Sequence, residues 1–584
     1  MLPRILIFLI VFLFSGQKAV WGSESNSGQV ILEAMGDELD RTMSRLKLPG
    51  YPPPYFCQLN LYENDDFSVE ATLGAATSKN RERQRTFDPI IRVGSYDFDN
   101  SNFYKPNGFS FTADTTYETL GPISDAPIGD DYHAIRKTFW INSDYNYKKA
   151  VEKLEQKKAY TLERNRELKL DDFSRARSIV FIKPTQNLKI DQELWTNRVK
   201  DLSRVFRNYP QIRNSWVRYD ERIINTWLIN SEGTKVQIAE RAVRILSYAN
   251  CQSQDGSVMT DGRVFLAHDR KNLPSMDVIA QELDELARSL IKRSKAEKID
   301  YYEGPVLFEG KAAAQLFARV MAPYLIVHRK KLGMNYYNET DSRLSRRMGR
   351  RVMPLFLSVV DDPFAREFRG QPLFGGFDID DEGVMPEKLV LIKDGYLKTL
   401  CSGRTPTKHV KTSNGHGSLQ SSSGSAKFSV LFVKSKKTSS KKQLMKRLKE
   451  LGKEARLDYV IVVRRLANSV RDGSLFETVD SQSIDLGAQE GQLTEPIDFY
   501  KVSLKTGKET LLRAGKFGPV TARILKDIVL AGDDSDAYPV EESSNSYCHL
   551  ITPSILVSEV EIEKEENVSK PPLIPNPLSE LNES

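Results

Sequence analysis

Apolar residues recur at helical spacing in several separate stretches of the chain. Where they fall three or four positions apart between polar residues, the pattern predicts an amphipathic helix with one buried side. Asp144 precedes one such stretch and is a candidate N-cap, and a run of prolines ends another near residue 50. The predicted helices cover residues 28–48, 144–164, 277–299, 311–328, 441–455 and 519–531.

Shorter runs of β-branched and aromatic residues, bounded by turn residues, predict strands. The charged segment 79–83 interrupts this pattern, and we expect it to separate two strands. Lys393-Asp394-Gly395 and Thr506-Gly507 are candidate hairpin turns. The predicted strands cover residues 55–73, 90–93, 216–219, 226–230, 236–239, 244–247, 306–308, 387–392, 396–401, 428–433, 459–463, 499–504 and 509–513.

The order of these elements predicts an α+β, two-domain protein with an N-terminal α/β half and a strand-rich C-terminal half. The length of 584 residues is enough for two or more domains. The pattern changes near residue 300, where Gly304-Pro305 opens a strand. We therefore expect domains at 23–300 and 301–555, followed by a polar, disordered tail at 556–584.

The first residues of the chain have the pattern of a secretory signal. Arg4 precedes the unbroken apolar run 5–14, which is too short to cross a bilayer core of about 30 Å. Val20 and Gly22 are small enough for the −3 and −1 sites before a signal-peptidase cut. We predict a cleaved signal peptide at 1–22, a secreted or periplasmic protein and no stable membrane insertion. An N-terminal anchor is the alternative if cleavage fails.

The balance of charged residues bears on whether the protein binds nucleic acid. The chain has 84 Lys+Arg against 78 Asp+Glu, a net charge of +6, which is a weak basis for nucleic-acid binding. We therefore expect no nucleic-acid partner. In an oxidising compartment disulfides could form, but the sequence does not choose a pairing. The four cysteines are Cys57, Cys251, Cys401 and Cys548.

None of the six histidines forms a pair at the spacing that places two imidazoles on one helix face. His409 and His416 are the closest pair, and they flank a loop that contains glycine. They can share a metal only if that loop folds back; exposed loop histidines are the simpler interpretation. The acidic run 378–382 lacks the spacing of an EF-hand, and a solvated turn is its simpler interpretation.

Nucleophilic catalysis has no stronger support. Ser421-Ser422-Ser423-Gly424 lacks the strand–turn–helix setting of a nucleophile elbow. Cys548 and His549 are neighbours, but neighbours on a strand point to opposite faces. From the residues alone, no activity can be named.

An ordered series of short segments carries a family resemblance. In the C-terminal half these are 303–308 with the Ala-rich helix after it, 375–383, 391–397, 402–406, 413–417 and 513–532. In the N-terminal half they are 55–56, 92–96, 98–100 and 130–132 with Arg136 and Trp140. In this order and spacing the chain resembles the TldD/PmbA family, metallopeptidases once described as modulators of DNA gyrase. The N-terminal half is similar to that of secreted relatives.

The resemblance argues against zinc chemistry in this chain. Active members carry His-Glu-x-x-x-His on the helix after the first C-terminal strand, where the histidines bind zinc and the glutamate is the general base. The matching positions here are Phe317, Ala318 and Ala322, which can neither bind zinc nor move a proton. The later strand, 494–500, lacks the cysteine that supplies a third ligand. The chain looks like the motif-less, PmbA-like type, a pseudo-enzyme with no cofactor of its own.

The resemblance also implies a role. A motif-less member pairs with a metal-bearing TldD-like paralogue as a heterodimer, holds an unfolded peptide, and leaves zinc and catalysis to the partner subunit. An extended peptide added to a strand edge would suit such a channel, and we expect the loop 402–417 to line it. The candidate peptide-binding residues are Arg404, Thr405, Asn414, Gly415 and His416.

Two alternatives stay open. The protein could be a metallopeptidase with a relocated metal site that uses His409 and His416, with acids from 378–382. It could also be a structural, homo-oligomeric envelope protein without a peptide role.

Overall fold

The computed structural model describes residues 26–104, 125–163, 170–327, 329–333, 345–419, 426–467, 470–471, 474–475, 493–543, 546–565 and 571. The expected signal peptide, Ser421 to Ser423 and most of the tail lie outside these residues. Among the helices that are described, none combines the length and the apolar character needed to cross a membrane.

The N-terminal half, residues 26–294, is built on one six-stranded sheet. Its elements are α1 Asn26–Arg45, β1 Pro54–Thr72, β2 Ala75–Val93, α2 Tyr132–Glu163, β3 Val180–Ile182, α3 Gln192–Ser203, β4 Ile212–Asn230, β5 Lys235–Gln252, β6 Val258–Ala267 and α4 Met276–Ser294. The strand order is β2-β1-β4-β5-β3, with β6 also paired to β5. Only β3 runs parallel to its neighbour; the other pairs are antiparallel.

The two faces of this sheet have different partners, because successive side chains of a strand point to opposite sides. On one face, Leu59 lies in a core with α1 and α2, and Phe67 lies in a core with α3 and α4. On the other face, the amide of Gln58 donates to the backbone oxygen of Asp381, 3.0 Å away. The second face therefore carries the C-terminal half.

The C-terminal half contains two larger sheets. Its elements are β7 Glu297–Lys298, β8 Tyr301–Phe308, α5 Gly310–Val320, β9 Leu357–Asp361, β10 Glu367–Phe368, β11 Gln371–Pro372, β12 Leu389–Lys393, β13 Tyr396–Leu397, β14 Leu431–Ser435, β15 Thr438–Ser439, α6 Lys441–Glu454, β16 Tyr459–Leu466, β17 Val470–Arg471, β18 Ser474–Leu475, β19 Pro496–Ser503, β20 Glu509–Arg513, β21 Gly515–Phe517, β22 Ile528–Gly532, β23 Asp536–Ser543, β24 Ser546–Thr552 and β25 Ile555–Lys564. The nine-stranded sheet has the order β15-β22-β25-β8-β16-β19-β20-β7, with β21 on β25. The six-stranded sheet has the order β13-β12-β9-β14-β24-β23.

Helix α5 lies between the two sheets of the C-terminal half. Its Phe317 shares one apolar core with Phe308 of the nine-stranded sheet and Leu550 of the six-stranded sheet. Most residues of α5 are buried, and its polar residues Lys311, Gln315 and Arg319 share one side of the helix. Helix α6 covers the opposite face of the nine-stranded sheet.

The α+β class is confirmed, but several strands are longer than predicted. The pairs 216–219 with 226–230, and 236–239 with 244–247, are parts of the single strands β4 and β5. The charged segment 79–83 lies inside β2 and does not separate two strands. Its charge is tolerated because β1 supplies acids across the ladder, as in the 3.0 Å ion pair between Arg83 and Glu63. The predicted domain boundary at residue 300 stays a prediction. The prediction of a disordered tail at 556–584 is wrong for residues 556–564, because they belong to β25 and pair with β8 and β22.

Three helix predictions need correction. Helix α2 begins at Tyr132, so Asp144 lies in its interior and is not an N-cap. Helix α5 ends at Val320, shortly before Pro323, and does not reach His328. The predicted helix 519–531 is wrong: a 3-10 helix, Ala522–Lys526, leads into β22. There the pairing of β22 with β25 overrides the local helical pattern.

Candidate functional site

Helix α5 and the 3-10 turn after it, where the resemblance expects zinc ligands, are filled with core residues. Phe317 and Ala322 are fully buried and Ala318 nearly so, and none of the three has a ligand atom. The side-chain amide of Gln315, on α5, forms hydrogen bonds with the backbone of β16. It donates to the backbone oxygen of Leu466 at 3.1 Å and accepts from its N–H at 2.7 Å. These residues do not fit a metal.

The loop 402–417 is folded into the protein interior. Arg404 and His416 are fully buried, and Thr405 and Asn414 are largely buried. Gly415 has a positive φ of 74°, and a Cβ there would lie 2.2 Å from the backbone oxygen of Met385, so only glycine fits. The five residues predicted to contact peptide thus lie in one loop, and the four that have side chains bury them within this chain. Whether peptide reaches them stays a prediction.

Two buried carboxylates hold this loop. Glu382 accepts the backbone N–H of Arg404, and Asp380 accepts the N–H groups of Gly417 and Val384 at 2.7 and 2.8 Å. Burial, the largest cause, raises the pKa of both carboxyl groups, and Glu382 raises that of Asp380 further. The prediction of a solvated turn at 378–382 is therefore wrong for these two residues. The turn instead binds the loop 402–417 through backbone donors.

Arg404 connects the two halves of the molecule. Its guanidinium donates to the backbone oxygen of Ser174 at 2.7 Å and to the carboxylate of Glu232 at 2.8 Å. The rings of Phe173 and Phe56 lie 4.0 and 4.9 Å from the guanidinium carbon. Every one of these partners belongs to the N-terminal half, so Arg404 acts as an internal anchor.

A second cluster lies at the other end of the same loop. Asp361 at the end of β9, Cys401 and His416 are fully buried, and their potential ligand atoms all lie within 4.8 Å of one another. His409, the other histidine of the relocated-site alternative, is exposed and does not belong to this group. The sequence pointed to His416, but its partners Asp361 and Cys401 were missed.

Hydrogen bonds fix the geometry of this cluster. His416 Nε2 lies 2.8 Å from Asp361 Oδ2, and its Nδ1 lies 2.9 Å from the backbone oxygen of Asn414. Because a carbonyl oxygen only accepts, Nδ1 carries a proton. The N–H and hydroxyl of Ser429 donate to the Asp361 carboxylate at 2.7 and 2.5 Å. The three residues of the cluster are closed to solvent in this structure, and their groups are of the types that hold an ion or a proton.

All four cysteines lie in described residues, and each is buried and outside any disulfide. Burial raises the pKa of the thiols of Cys57 and Cys251, which disfavours their reactive thiolate form.

Comparison with known proteins agrees with this architecture. Residues 302–485 match the family model described as the PmbA/TldA metallopeptidase C-terminal domain. A search of curated protein sequences finds no significant match. The matched region contains α5, the loop 402–417 and all three residues of the buried cluster.

Solved structures extend the likeness over almost the whole chain. A protein from Thermotoga maritima, named as a modulator of a DNA gyrase, has a TM-score of 0.56 at 15% identity and covers 90% of this chain and 100% of its own. TldE from Thermococcus kodakarensis has a TM-score of 0.53 at 15% identity, with coverages of 91% and 99%. A second protein named as a DNA gyrase modulator, from Bacteroides thetaiotaomicron, has a TM-score of 0.53 at 12% identity, with coverages of 92% and 98%. At these low identities the structural likeness shows the fold alone. Together with the matched C-terminal domain, it supports membership of the PmbA/TldD family and a relation to metallopeptidases.

Proposed function

We propose that this metallopeptidase-related chain is the non-catalytic subunit of an exported peptidase, and that it holds unfolded peptide for a metal-bearing TldD-like partner. In this proposal the motif-less chain is a pseudo-enzyme of the PmbA-like type, and zinc belongs to the partner subunit. The chain is exported by a signal peptide at 1–22 and works in the periplasm or outside the cell.

One observation carries the proposal. The helix on which the resemblance expects zinc ligands and a general base is a packed core helix between two sheets. Hydrolysis of a peptide bond at that position needs a polarising metal or a base, and Phe317, Ala318 and Ala322 supply neither. A chain that keeps the fold but lacks the catalytic groups is suited to binding peptide or assembling with a catalytic subunit.

Peptidase assays test the proposal directly. The purified chain alone should not cleave an unfolded, fluorescently labelled peptide, with or without added zinc. After copurification with its metal-bearing partner, the complex should cleave faster than the partner alone, and a chelator should abolish the activity. Chelator-sensitive cleavage by the isolated chain would overturn the proposal.

Native mass measurement tests the assembly. The proposal expects a one-to-one heterodimer when both chains are produced together. A stable homo-oligomer that ignores the partner would instead favour the structural envelope protein. N-terminal sequencing of the exported protein should begin near residue 23; an intact N-terminus in the cytoplasm would contradict the export step.

A further inference from the structure

We infer that Asp361, Cys401 and His416 form a buried site for a thiophilic divalent cation of the zinc class, which fastens the loop 402–417 to the six-stranded sheet. The site is separate from α5 and has a structural role. This inference goes beyond the proposed function and does not depend on it.

Convergence of three different donor types is the first support. A carboxylate, a thiol and an imidazole come from three separate places in the chain, and their ligand atoms meet within 4.8 Å of one another. Thiolate, imidazole and carboxylate are the protein ligands of zinc.

The backbone holds each donor in place. Asp361 ends β9, which is paired to both β12 and β14. Cys401 is tied to the segment after α5, because its N–H donates to Leu325 at 2.8 Å and its backbone oxygen accepts from Val327 at 2.9 Å. The backbone N–H of His416 donates to Ser402 at 3.2 Å. The donors are therefore pre-organised by the fold.

The second layer of contacts has the form that metal ligands need. The Nδ1–H of His416 is used by the backbone oxygen of Asn414, which fixes the ring and leaves Nε2 to point at the centre of the cluster. Ser429 holds the Asp361 carboxylate through both its N–H and its hydroxyl. Ligating histidines and carboxylates are commonly oriented by such partners.

Distance and charge are compatible with an ion. Zinc bonds of about 2.0–2.3 Å place the donors of a tetrahedral site about 3.3–3.7 Å apart. The 2.8 Å gap between His416 Nε2 and Asp361 Oδ2 would have to widen by about 0.5–1 Å. A divalent cation bound to one thiolate, one carboxylate and a neutral imidazole carries no net charge. Because burying a net charge costs free energy, a neutral complex is compatible with complete burial.

Burial indicates a structural role. All three ligands have no exposed surface, and the ring of Phe377 stands edge-on to His416 with centroids 5.7 Å apart. An ion here would link the end of β9, the segment after α5 and the loop 402–417. This site would revise the expectation that the chain carries no metal, while leaving catalysis to the partner.

Cobalt substitution tests the site on the full chain. After chelator treatment, the protein should take up about one Co²⁺ per chain and show a thiolate-to-cobalt charge-transfer band, and Zn²⁺ should displace the band and raise the melting temperature. C401S should lose the band, and H416N should weaken Co²⁺ binding at least tenfold. H409N and C548S, which change an exposed histidine and a buried cysteine outside the cluster, should bind like the wild type.

Each outcome decides the inference. Absence of Co²⁺ or Zn²⁺ uptake by the folded wild type, or unchanged uptake by both C401S and H416N, would refute it. If C401S does not fold, the other three cysteines are replaced one at a time, in C57S, C251S and C548S. A charge-transfer band that persists in all three variants assigns the thiolate to Cys401. Loss of the band in any one of them refutes the inference. Metal uptake without peptide cleavage would support this site and leave the proposed function intact.

Discussion

At the scale of single residues, one buried histidine has a protonation state set by its surroundings. His549 on β24 accepts the backbone N–H of Phe374 through Nδ1 at 2.8 Å. Burial lowers the pKa of His549 from 6.5 to about 4. The folded protein therefore keeps this ring neutral at a pH where the unfolded chain protonates it.

This histidine predicts acid sensitivity. Its contribution to stability is full above about pH 6.5 and is lost progressively as the pH falls to about 4, because only the unfolded state binds the proton in that window. The full loss is of order 3 kcal/mol. Urea unfolding at pH 7 and pH 5 should show a smaller pH dependence in H549N, whose Oδ1 can still accept from Phe374. H409N, at an exposed site, should behave like the wild type.

At the scale of elements, the apolar pattern predicted where most helices lie. It did not predict where each element ends or which elements pair. The Ala-rich stretch after β8 was correctly predicted as a helix, since its residues favour helix and are apolar. Its end at Val320 and the merging of short strands into β4 and β5 depend on pairing partners far away in the chain. Residues 519–531 show the limit: a plausible local helix becomes a strand because β25 lies beside it.

Helix α5 yields a stability prediction. Phe317 lies fully buried between two sheets, so F317A should lower the free energy of unfolding by about 3–5 kcal/mol through lost burial and a cavity. Phe364 is 51% exposed in the same half, and F364A should cost less than about 0.5 kcal/mol. Denaturant unfolding compares the two. Equal, small losses would contradict a structural role for α5.

At the scale of the whole molecule, the two halves are joined by buried polar contacts that local sequence did not reveal. His416 and Arg404 stood out as candidate site residues, but their partners Asp361 and Glu232 could not be found from spacing. His416 and Asp361 are 55 residues apart, and Arg404 and Glu232 are 172 apart. Only the completed fold brings such residues together.

Arg404 provides the matching prediction for this interface. R404A leaves Glu232 and Glu382 without the buried cation, so the free energy of unfolding should fall by about 3–5 kcal/mol. R447A removes only partly exposed ion pairs on α6, with Glu450 and Glu454, and should cost less than about 1 kcal/mol. Limited proteolysis of R404A should also show cleavage between the halves. A fully stable R404A with impaired peptide binding would instead favour the peptide-contact role.

The position of the last strand limits how the chain can be made. β25 lies inside the nine-stranded sheet, between β22 and β8, and its partner β8 comes from about the middle of the sequence. The N-terminal sheet is complete once the chain up to β6 is free to fold, whereas the sheet of the C-terminal half has a gap until residues near 564 are available. A chain stopped at residue 554 should therefore leave the N-terminal half resistant to protease and the C-terminal half sensitive. Until β25 takes its place, β8 and β22 lack the strand between them, and such unpaired strand edges favour aggregation.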